Sequence, residues 1–407
     1  MIKAQRGTKD TIFEQMLQFD KILKAGEEVF TSSNYSKIQT PIFEATELFA
    51  RGVGDSTDIV NKEMYTFSIN GKESLTLRPE NTAGVVRAYI EHGINRTPAP
   101  QKFWYFGPMF RYERPQAGRQ RQFHQMGAEV FGSDSPYTDV EVISSAIEIL
   151  RKLGLDDLEV EINSLGCTKC RDNFKTSIKK VLEKYLPELC PDCNMRYVKN
   201  PLRMLDCKSP ECQAIFEKEE VREVILSDFI CGECKEQFDV IKKELTNLGV
   251  KYSVNKLLVR GLDYYNRLVF EIKSNNLGSQ NAVAGGGRYD GLVSMLGGVE
   301  TPAVGFAMGV ERLASLMEIP QKPLLDYFVV SKDTAAALKL ANELRALGMS
   351  ADFDPFGKKF NKQLERAGKC AKFAIILGED EIAQGFLTVK NLETGEQFQV
   401  NSIEKPC

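Results

Sequence analysis

The sequence predicts an α/β protein with more than one domain, and three observations lead to this fold class. The chain has 407 residues, of which 43% are hydrophobic and 27% charged, so it is long enough for two or three globular domains. Between residues 103 and 132, two runs of apolar residues alternate with small or polar ones, which is the pattern of strands. After residue 323, strand and helix patterns alternate, which indicates a separate small α/β domain.

The first predicted element is a helix over Asp10–Ser33, capped by Asp10 or Thr11. The chain is then expected to be extended over Tyr35–Glu44. Pro41 lacks the N–H group that a strand ladder needs, so we expect this segment at a sheet edge or an interface. The apolar stripe that predicts the helix comprises Phe13, Met16, Leu17, Ile22, Leu23 and Val29.

A predicted strand at Ser74–Pro79 runs directly into a predicted helix, which places Glu80 and Thr82 at a strand-to-helix corner. The N–H groups at a helix start can bind a ligand, or Glu80 and Thr82 can simply cap the helix. From the residues alone, capping is the role that we predict for Thr82.

Residues 103–132 form a predicted hairpin around which a site can be built. Residues two apart on a strand share a face, so Gln125 and Glu129 lie together, and Arg111 lies near the end of the outgoing strand. An arginine, an amide and a carboxylate above glycines predict a pocket for a small zwitterion beside a phosphate. The joining loop, Arg114–Arg121, is polar and basic. The alternative is a hairpin with a solvated polar face, which the phenylalanines on the same face argue against.

Four segments after residue 250 extend the predicted core. Leu257–Tyr265 has a strand pattern with an arginine towards its end, and Leu268–Lys273 is a further strand. The glycines of Ala282–Gly291 allow close approach of a ligand, although their spacing matches neither a Rossmann nor a P-loop fingerprint. Pro302–Leu313 is a small-residue strand that enters a helix.

The terminal domain follows a predicted linker, Pro320–Pro323. Its predicted strands are Tyr327–Val330, Ala351–Asp354, Phe373–Leu377, Leu387–Asn391 and Phe398–Val400, and its predicted helices are Thr334–Leu347 and Lys359–Lys369.

The chain contains ten cysteines and only two histidines. His92 is expected at a solvated helix end and His124 in packing, so a histidine-based triad is not expected. Eight cysteines form pairs in a helix-forming region over residues 166–249. Such pairs are typical of zinc ligands, and reduced thiols in a small helical module are the alternative. The pairs are Cys167-x2-Cys170, Cys190-x2-Cys193, Cys207-x4-Cys212 and Cys231-x2-Cys234.

The overall charge gives no general sign of nucleic-acid binding. The net charge is −3 and the sequence pI is about 5.8, so an RNA partner would have to be held by local basic loops. The first residues carry no apolar signal segment and no apolar run is long enough to cross a bilayer. We therefore expect a cytoplasmic protein without a membrane partner.

Together these segments resemble the bacterial-type histidyl-tRNA synthetases, a family of class II aminoacyl-tRNA synthetases, over essentially the whole chain. The most specific blocks are TLRPENTAG (Thr76–Gly84), LVRGLDYYN (Leu258–Asn266) and AGGGRYDGL (Ala284–Leu292). The first helix with Tyr35–Glu44 resembles the first class motif, the hairpin resembles the second, and Val304–Leu313 resembles the third.

The resemblance implies an α+β catalytic core, built on an antiparallel sheet flanked by helices. It implies a core over residues 1–165 and 251–319, a small, mostly helical insertion over 166–250, and a linker with a mixed α/β anticodon-binding domain over 320–407. A homodimer is also implied, with Pro41 at its interface. Many relatives continue into a further helix beyond the position of Cys407, so we expect the last domain to be trimmed rather than lost.

The implied reaction is histidine–tRNA ligation. L-histidine reacts with ATP, accompanied by Mg2+, to give histidyl-adenylate and pyrophosphate, and the histidine then passes to the 3′ end of tRNA(His). The alternative is a synthetase-like regulatory subunit that binds histidine and controls a histidine-biosynthesis enzyme. Such paralogues usually lose the arginine of the LVRGLDYY block and the anticodon-binding domain, and this chain retains both.

The resemblance also implies a role for individual residues. The ammonium group of histidine is received by Glu80, Thr82 and Gln125, and its imidazole by Glu129 and Tyr264 with Tyr265 beside them. Arg111 grips the α-phosphate, Arg312 lies beside adenine and the γ-phosphate, and Arg260 contacts both the carboxylate and the α-phosphate. The implied histidine-binding set is Glu80, Thr82, Arg111, Gln125, Glu129, Arg260, Tyr264 and Tyr265; the ATP-binding set is Arg111, Arg119 and Arg312; the catalytic set is Arg260, Arg111 and Arg312.

Two features depart from the family pattern or go beyond it. Asn81 stands where the family more often has glycine, which we expect to add a side chain at the pocket rim. Zinc is not a general property of the family, so Zn2+ at the cysteine pairs is possible and no ligand set is predicted.

Overall fold

The structure, a computed structural model, describes residues 2–54, 57–115, 119–274 and 281–402. The chain divides into two compact units, Met1–Pro320 and Gln321–Cys407. Within the described ranges, none of the helices combines the length and the apolar character needed to cross a membrane.

The first unit contains eleven α-helices and eleven strands within the described residues, besides short 3-10 and π turns. Its helices are α1 (Glu14–Ser32), α2 (Thr46–Val53), α3 (Thr82–Glu91), α4 (Pro136–Lys152), α5 (Thr168–Leu182), α6 (Pro191–Lys199), α7 (Pro210–Phe216), α8 (Glu219–Leu226), α9 (Gly232–Asn247), α10 (Leu292–Met295) and α11 (Val310–Leu316). Its strands are β1 (Ser36–Lys37), β2 (Phe43–Ala45), β3 (Tyr65–Ile69), β4 (Glu73–Leu77), β5 (Gln101–Phe110), β6 (Gln122–Phe131), β7 (Leu158–Ser164), β8 (Tyr252–Val254), β9 (Asn266–Ser274), β10 (Ala282–Arg288) and β11 (Ala303–Gly309).

An eight-stranded sheet with the order β1-β5-β6-β11-β10-β9-β7-β8 forms the centre of this unit. All its pairs are antiparallel except β1 with β5 and β7 with β8, which lie at the two edges. The antiparallel sheet implied by the family resemblance is therefore confirmed. The extended segment with Pro41 contributes the edge strand β1, as its proline predicted.

The two faces of this sheet differ, because side chains alternate along each strand. One face carries large apolar side chains such as Trp104, Met126 and Phe270, which pack against α1, α4, α9 and α11. On the other face, Gly127, Ala307 and Gly285 lie side by side in neighbouring strands, with Gly127 paired with Ala307 and Ala307 with Gly285, and Gly107 lies opposite Gln125. This second face leaves room above the sheet for a ligand.

A three-stranded sheet, β2-β4-β3, leads into α3, and helices α5–α9 follow β7. Helices α5–α8 pack around a small apolar cluster of their own, which includes Phe174, Ile178, Leu202 and Phe216. The helical character predicted for residues 166–250 is therefore observed.

The second unit is a five-stranded sheet with the order β13-β12-β14-β15-β16 and helices beside it. Its elements are β12 (Leu325–Ser331), α12 (Thr334–Ala346), β13 (Ala351–Phe353), α13 (Phe360–Cys370), β14 (Ala371–Leu377), α14 (Glu379–Gln384), β15 (Leu387–Asn391) and β16 (Gln397–Val400). The predicted elements are present, within two residues at each end. The short helix α14 was not predicted, because it lacks a buried residue and therefore an apolar stripe.

Two predicted elements of the first unit differ from the structure. Helix α1 begins at Glu14, so neither Asp10 nor Thr11 caps it, and Phe13 is 74% exposed; the stripe is buried only from Phe19 onwards, where other helices cover it. The segment Leu257–Tyr265 is not a strand. Side chains rather than a neighbouring strand satisfy its backbone carbonyls, as described below.

Candidate active site

A cavity of about 190 Å³ lies above the small-residue face of the large sheet. Strands β6, β10 and β11 form its floor, and the start of α3, the segment 258–265 and the residues after β5 form its walls. The lining residues are Glu80, Thr82, Arg111, Glu113, Arg119, Gln120, Phe123, Gln125, Arg260, Leu262, Tyr264, Tyr265, Ala282, Val283, Ala284, Gly285, Ala307, Gly309, Glu311 and Arg312. Every predicted site residue except Glu129 is in this set.

One side of the cavity is rich in arginine. Arg119 Nη1 lies 2.9 Å from Glu113 Oε2, and Arg111 Nε donates to the carbonyl of Pro79 at 2.8 Å. Burial lowers the pKa of Arg312, and the neighbouring guanidinium of Arg119 lowers it further, more than the Glu113 carboxylate restores it. Crowded cations of this kind are stabilised by an anion, and a polyphosphate supplies one.

Arg260 stands beside Glu271 of strand β9 and forms a short ion pair with it. Burial lowers the pKa of Arg260, but the Glu271 carboxylate and the neighbouring tyrosines raise it by more, so the guanidinium stays charged. Gly285 provides the space: a Cβ there would lie 2.4 Å from Arg260 Nη2. Among the described residues, Arg260 Nε has no hydrogen-bond partner.

The start of helix α3 is capped by Glu80, and this corrects the predicted role of Thr82. The Glu80 carboxylate accepts the backbone N–H groups of Thr82 at 2.7 Å and Ala83 at 2.9 Å. Thr82 instead uses its hydroxyl to donate to Glu129 Oε1 at 2.8 Å. Burial raises the pKa of the Glu80 carboxyl, although these N–H groups oppose the shift.

Glu129 lies one layer below the cavity and is 1% exposed. Besides Thr82, the hydroxyls of Tyr289 at 2.5 Å and Tyr105 at 3.3 Å donate to its carboxylate. Burial raises the pKa of Glu129 to about 8 despite these hydrogen bonds. Gly305 on the next strand is required here, because a Cβ would lie 1.8 Å from Glu129 Oε2.

Tyr264 and Tyr265 line the cavity with their rings 4.6 Å apart between centroids. Burial raises the pKa of Tyr265 to about 12, with Arg260 opposing the shift. Gln125 lines the same cavity, and its Oε1 is buried without a hydrogen-bond partner among the described residues. An unpaired amide oxygen in a cavity wall is a binding group for an N–H donor.

The segment 258–265 is held from outside by side chains of other elements. Asn163 Nδ2 donates to the carbonyl of Leu258 at 3.0 Å, and Arg203 Nη1 donates to the carbonyl of Gly261 at 2.9 Å. Asn200 Nδ2 donates to Asp263 Oδ1 at 2.8 Å. These bonds replace the strand ladder that the sequence predicted.

Asn81 does not lie at the pocket rim, so that prediction is wrong. Its side chain is 1% exposed and accepts hydrogen bonds from the Thr40 hydroxyl at 2.6 Å and Arg78 Nη1 at 3.2 Å. Arg78 also donates to the carbonyl of Pro108 at 2.9 Å. Asn81 therefore joins the α3 corner to the first extended segment.

His92 lies where it was predicted, and His124 packs as predicted but also holds Glu311, a role that was not predicted. His92 is exposed at the end of α3. The backbone N–H of His124 donates to Glu311 at 2.8 Å, its ring Nδ1 lies 2.9 Å from the same carboxylate, and the ring packs against Phe19. The predicted basic loop Arg114–Arg121 is described only in part, because residues 116–118 lie outside the described residues.

Two clusters of cysteines outside the cavity have the composition of metal sites. Cys167, Cys170, Cys231 and Cys234 form one, and Cys190, Cys193, Cys207 and Cys212 form the other; within each cluster the sulfur atoms all lie within 4.8 Å of one another.

Several residues of the site were missed from the sequence. Glu271 lies in a strand pattern that suggested nothing beyond packing. Tyr289 lies in the block Ala284–Leu292, which was singled out without a role for the tyrosine, and Arg203 lies in the cysteine-rich region, far along the chain from the residues it supports. The alternation of strand β9 could have placed Glu271 on one of its two faces. Its partner, however, comes from a segment without regular structure, so only the fold brings Glu271 to Arg260.

The raised pKa of Glu129 predicts a pH-dependent stability. Between its ordinary value of 4.5 and its folded value of about 8, the folded protein keeps a proton that the unfolded chain releases. The contribution of this group to stability is therefore present below pH 4.5 and is lost as pH rises towards 8, by on the order of 1 kcal/mol per pH unit. As pH rises from 5.5 to 7.5, the free energy of unfolding, measured with urea, should therefore fall less in Glu129→Gln than in the wild-type protein.

The control for this comparison is Glu148→Gln, an exposed position of α4. It should follow the wild-type curve throughout. Parallel curves for wild type and Glu129→Gln would contradict the assignment of the raised pKa to Glu129.

Comparisons with protein families match both units. The family model described as histidyl-tRNA synthetase matches residues 7–313, and the model described as anticodon binding domain matches residues 327–404. A histidine–tRNA ligase from Halothermothrix orenii is 45% identical, and the match covers 99% of this chain and 98% of that protein.

Solved structures similar to this chain include a histidyl-tRNA synthetase. The apo histidyl-tRNA synthetase of S. aureus has 36% sequence identity and a TM-score of 0.81, covering 98% of this chain and 97% of that one. A Bacillus halodurans structure, described as an ATP phosphoribosyltransferase regulatory subunit/histidyl-tRNA synthetase, has a TM-score of 0.67 at 21% identity, covering 93% of this chain and 98% of that one. At that identity, the second likeness concerns the fold alone.

Proposed function

The chain belongs to the histidyl-tRNA synthetase family, and we propose that it is a histidine–tRNA ligase that activates L-histidine with ATP and then transfers it to tRNA(His). The observation that supports this function best is the division of one cavity into an arginine-rich side and a side of buried carboxylates, tyrosines and an amide. The first side matches a polyphosphate, and the second matches a small cationic or zwitterionic ligand with N–H donors.

Activation needs positioning and charge cancellation rather than a general base. The attacking group is the carboxylate of histidine, which is ionised at neutral pH, and it displaces pyrophosphate from the α-phosphorus of ATP in line. Arg111 and Arg260 are the proposed contacts of the α-phosphate, with Arg260 also holding the attacking carboxylate. Arg119 and Arg312 are the proposed contacts of the remaining phosphates and adenine. Guanidinium forks suit this task because they bind oxygen pairs in a fixed geometry.

Selection of histidine depends on groups that are costly to leave unpaired. Gln125 Oε1 is already buried without a partner among the described residues, and Tyr264 and Tyr265 are buried. We propose that Glu80, Thr82 and Gln125 receive the ammonium group and that Tyr264, Tyr265 and Glu129 recognise the imidazole. Glu129 lies beneath the cavity and is connected to its wall through the Thr82 hydroxyl. An amino acid without ring N–H groups would leave these polar groups unsatisfied, which disfavours its binding.

Mg2+ is proposed to enter with ATP. The carboxylates on the arginine-rich side, Glu113 and Glu311, are oxygen ligands of the type that Mg2+ prefers, so the residues present fit the ion. When bound, the ion would neutralise phosphate charge. The protein's own part is to keep those carboxylates in position, and for Glu311 the backbone and ring of His124 do so.

The proposed tRNA contacts are divided between the two units. The second unit matches the anticodon-binding model, which supports anticodon recognition there. Arg114 and Arg121, at the two ends of the basic loop beside the cavity, are suited to the phosphates of the acceptor end. A homodimer, as the first class motif implies, stays part of the proposal.

Histidine-dependent exchange of pyrophosphate into ATP tests the proposed function. The purified protein should catalyse exchange with L-histidine and should charge tRNA(His). The regulatory-subunit alternative instead predicts histidine binding without exchange, so a protein that binds histidine but shows no exchange would refute the ligase proposal. Arg260 in the cavity wall and the match to the anticodon-binding model favour the ligase.

A further inference from the structure

The four cysteine pairs share one local structure. In each pair, the second cysteine occupies the third position of a helix: Cys170 in α5, Cys193 in α6, Cys212 in α7 and Cys234 in α9. In three of the pairs, the first cysteine is the residue that precedes the helix. Free N–H groups and the helix dipole at such positions stabilise thiolates, which are the form that binds metal.

The fold brings these pairs together two by two. The pair at the start of α5 meets the pair at the start of α9, although about sixty residues separate them, and the pair at the start of α6 meets the cysteines before and within α7. The two groups are called here the clasp cluster (Cys167, Cys170, Cys231 and Cys234) and the inner cluster (Cys190, Cys193, Cys207 and Cys212).

The sulfur separations match a tetrahedral zinc site. Zinc–sulfur bonds of about 2.3 Å at tetrahedral angles require sulfur atoms about 3.8 Å apart. Cys167 and Cys170 sulfurs are 3.5 Å apart, and Cys190 and Cys207 sulfurs are 3.8 Å apart. A disulfide would need about 2.05 Å and would join sulfurs in twos, whereas each cluster holds four sulfurs within 4.8 Å of one another.

Backbone N–H groups point at the sulfurs in both clusters. In the clasp cluster the bonds are reciprocal: Cys167 N–H donates to Cys234 Sγ at 3.3 Å and Cys231 N–H donates to Cys170 Sγ at 3.1 Å. Gly166 makes this possible with φ +68°, and a Cβ there would lie 2.4 Å from Cys170 Cβ.

Backbone N–H groups donate to the sulfurs of the inner cluster in the same way. Cys190 N–H donates to Cys212 Sγ at 3.3 Å, Cys193 N–H to Cys190 Sγ at 3.4 Å and Ser209 N–H to Cys207 Sγ at 3.4 Å. Such N–H donors offset the negative charge that four thiolates leave on a divalent ion, and they orient the ligands.

We propose that each cluster binds one structural Zn2+ ion, two per chain. Four protein ligands leave no open position, so both sites are structural rather than catalytic. The region that they close has a small apolar core, and small modules of this kind depend on metals or disulfides for stability. The Zn2+ ion of the clasp cluster would hold the start of α5, at the beginning of the helical insertion, against the start of α9, near its end. The Zn2+ ion of the inner cluster would stabilise the interior of the insertion.

The inner site also has a link to the cavity. The chain between Cys193 and Cys207 carries Asn200 and Arg203, which donate to Asp263 and to the carbonyl of Gly261 respectively. The metal would thus hold in place the residues that support the segment containing Arg260.

Metal analysis of the full chain, purified without chelator under reducing conditions, tests the proposal without reference to enzymatic activity. The expected content is two zinc ions per chain. Cys170→Ser and Cys212→Ser should each lower it to one, and the double variant should lower it to none. Cys370→Ser, in the second unit and outside both clusters, is the matched control and should keep two.

A second measurement uses the wild-type protein alone, in case a variant does not fold. After removal of the metal under reducing conditions, titration with Co2+ should produce the absorption of tetrahedral thiolate-bound cobalt and saturate at two equivalents. Absence of this absorption, saturation at one equivalent, or iron in place of zinc in the purified protein would overturn the proposal. Zinc content unchanged in the Cys170→Ser and Cys212→Ser variants would also overturn it.

Discussion

Arg260→His should reduce histidine-dependent ATP–pyrophosphate exchange by about 10²–10³-fold, the usual effect of removing one preorganised donor to a transition-state anion. Imidazole is shorter than guanidinium and cannot donate to a carboxylate and a phosphate together. The substitution also leaves Glu271 without its ion-pair partner in the cavity wall. The loss should be larger in kcat than in KM for ATP, because the proposed contact strengthens as the carboxylate approaches phosphorus.

Arg151→His is the matched control for this experiment. Arg151 is exposed in the last turn of α4, so the same chemical change there should leave exchange unaltered. Exchange by Arg260→His equal to that of wild type would remove Arg260 from the proposed mechanism.

Arg203→Ala should raise the KM for histidine by up to about 10²-fold, which is the effect of small displacements of positioning groups. Arg203 is 6% exposed, and its Nη1 donates a hydrogen bond to the carbonyl of Gly261. Its guanidinium also forms two ion pairs, with Nη2 3.8 Å from Asp58 Oδ2 and Nη1 3.9 Å from Asp263 Oδ1. Without it, the segment 258–265 loses an anchor, and Arg260 and Tyr264 lose their fixed positions. Exchange kinetics at varied histidine, with the thermal unfolding midpoint measured in parallel, check this expectation.

Arg222→Ala provides the comparison within the same helical insertion. Arg222 forms an exposed ion pair with Glu217 at 2.7 Å, and such pairs contribute little. The control should therefore leave KM for histidine and the unfolding midpoint near wild type. A lower midpoint with unchanged KM in Arg203→Ala would mean that Arg203 supports the insertion only and does not position the histidine side of the cavity.

Local patterns in the sequence were sufficient for much of the fold. The period-two runs predicted β5 and β6 because one face of each strand is apolar, and the alternating elements of the second unit followed the same logic. The faces of Gln125 and Glu129 were also predictable, since alternation along a strand assigns faces without any knowledge of neighbours. The eight paired cysteines indicated metal ligands by spacing alone.

Contacts between segments distant in sequence could not be predicted from these local patterns. The segment 258–265 has the composition of a strand, yet side chains from β7 and from the insertion satisfy its carbonyls. The capping of α3 by Glu80 rather than Thr82 depends on Glu129, which draws the threonine hydroxyl away from the helix start.

The sequence by itself therefore determined most of the elements and the faces of the strands, because these follow from short-range periodicity, whereas the site residues were predicted from the resemblance of short blocks to a known family. Only the tertiary structure decided which cysteines group together, that Glu129 lies beneath the cavity, and that Glu271 and Arg203 support Arg260 and the segment around it. These arrangements depend on burial and on hydrogen bonds between residues far apart in the chain, and both are formed only when the chain folds.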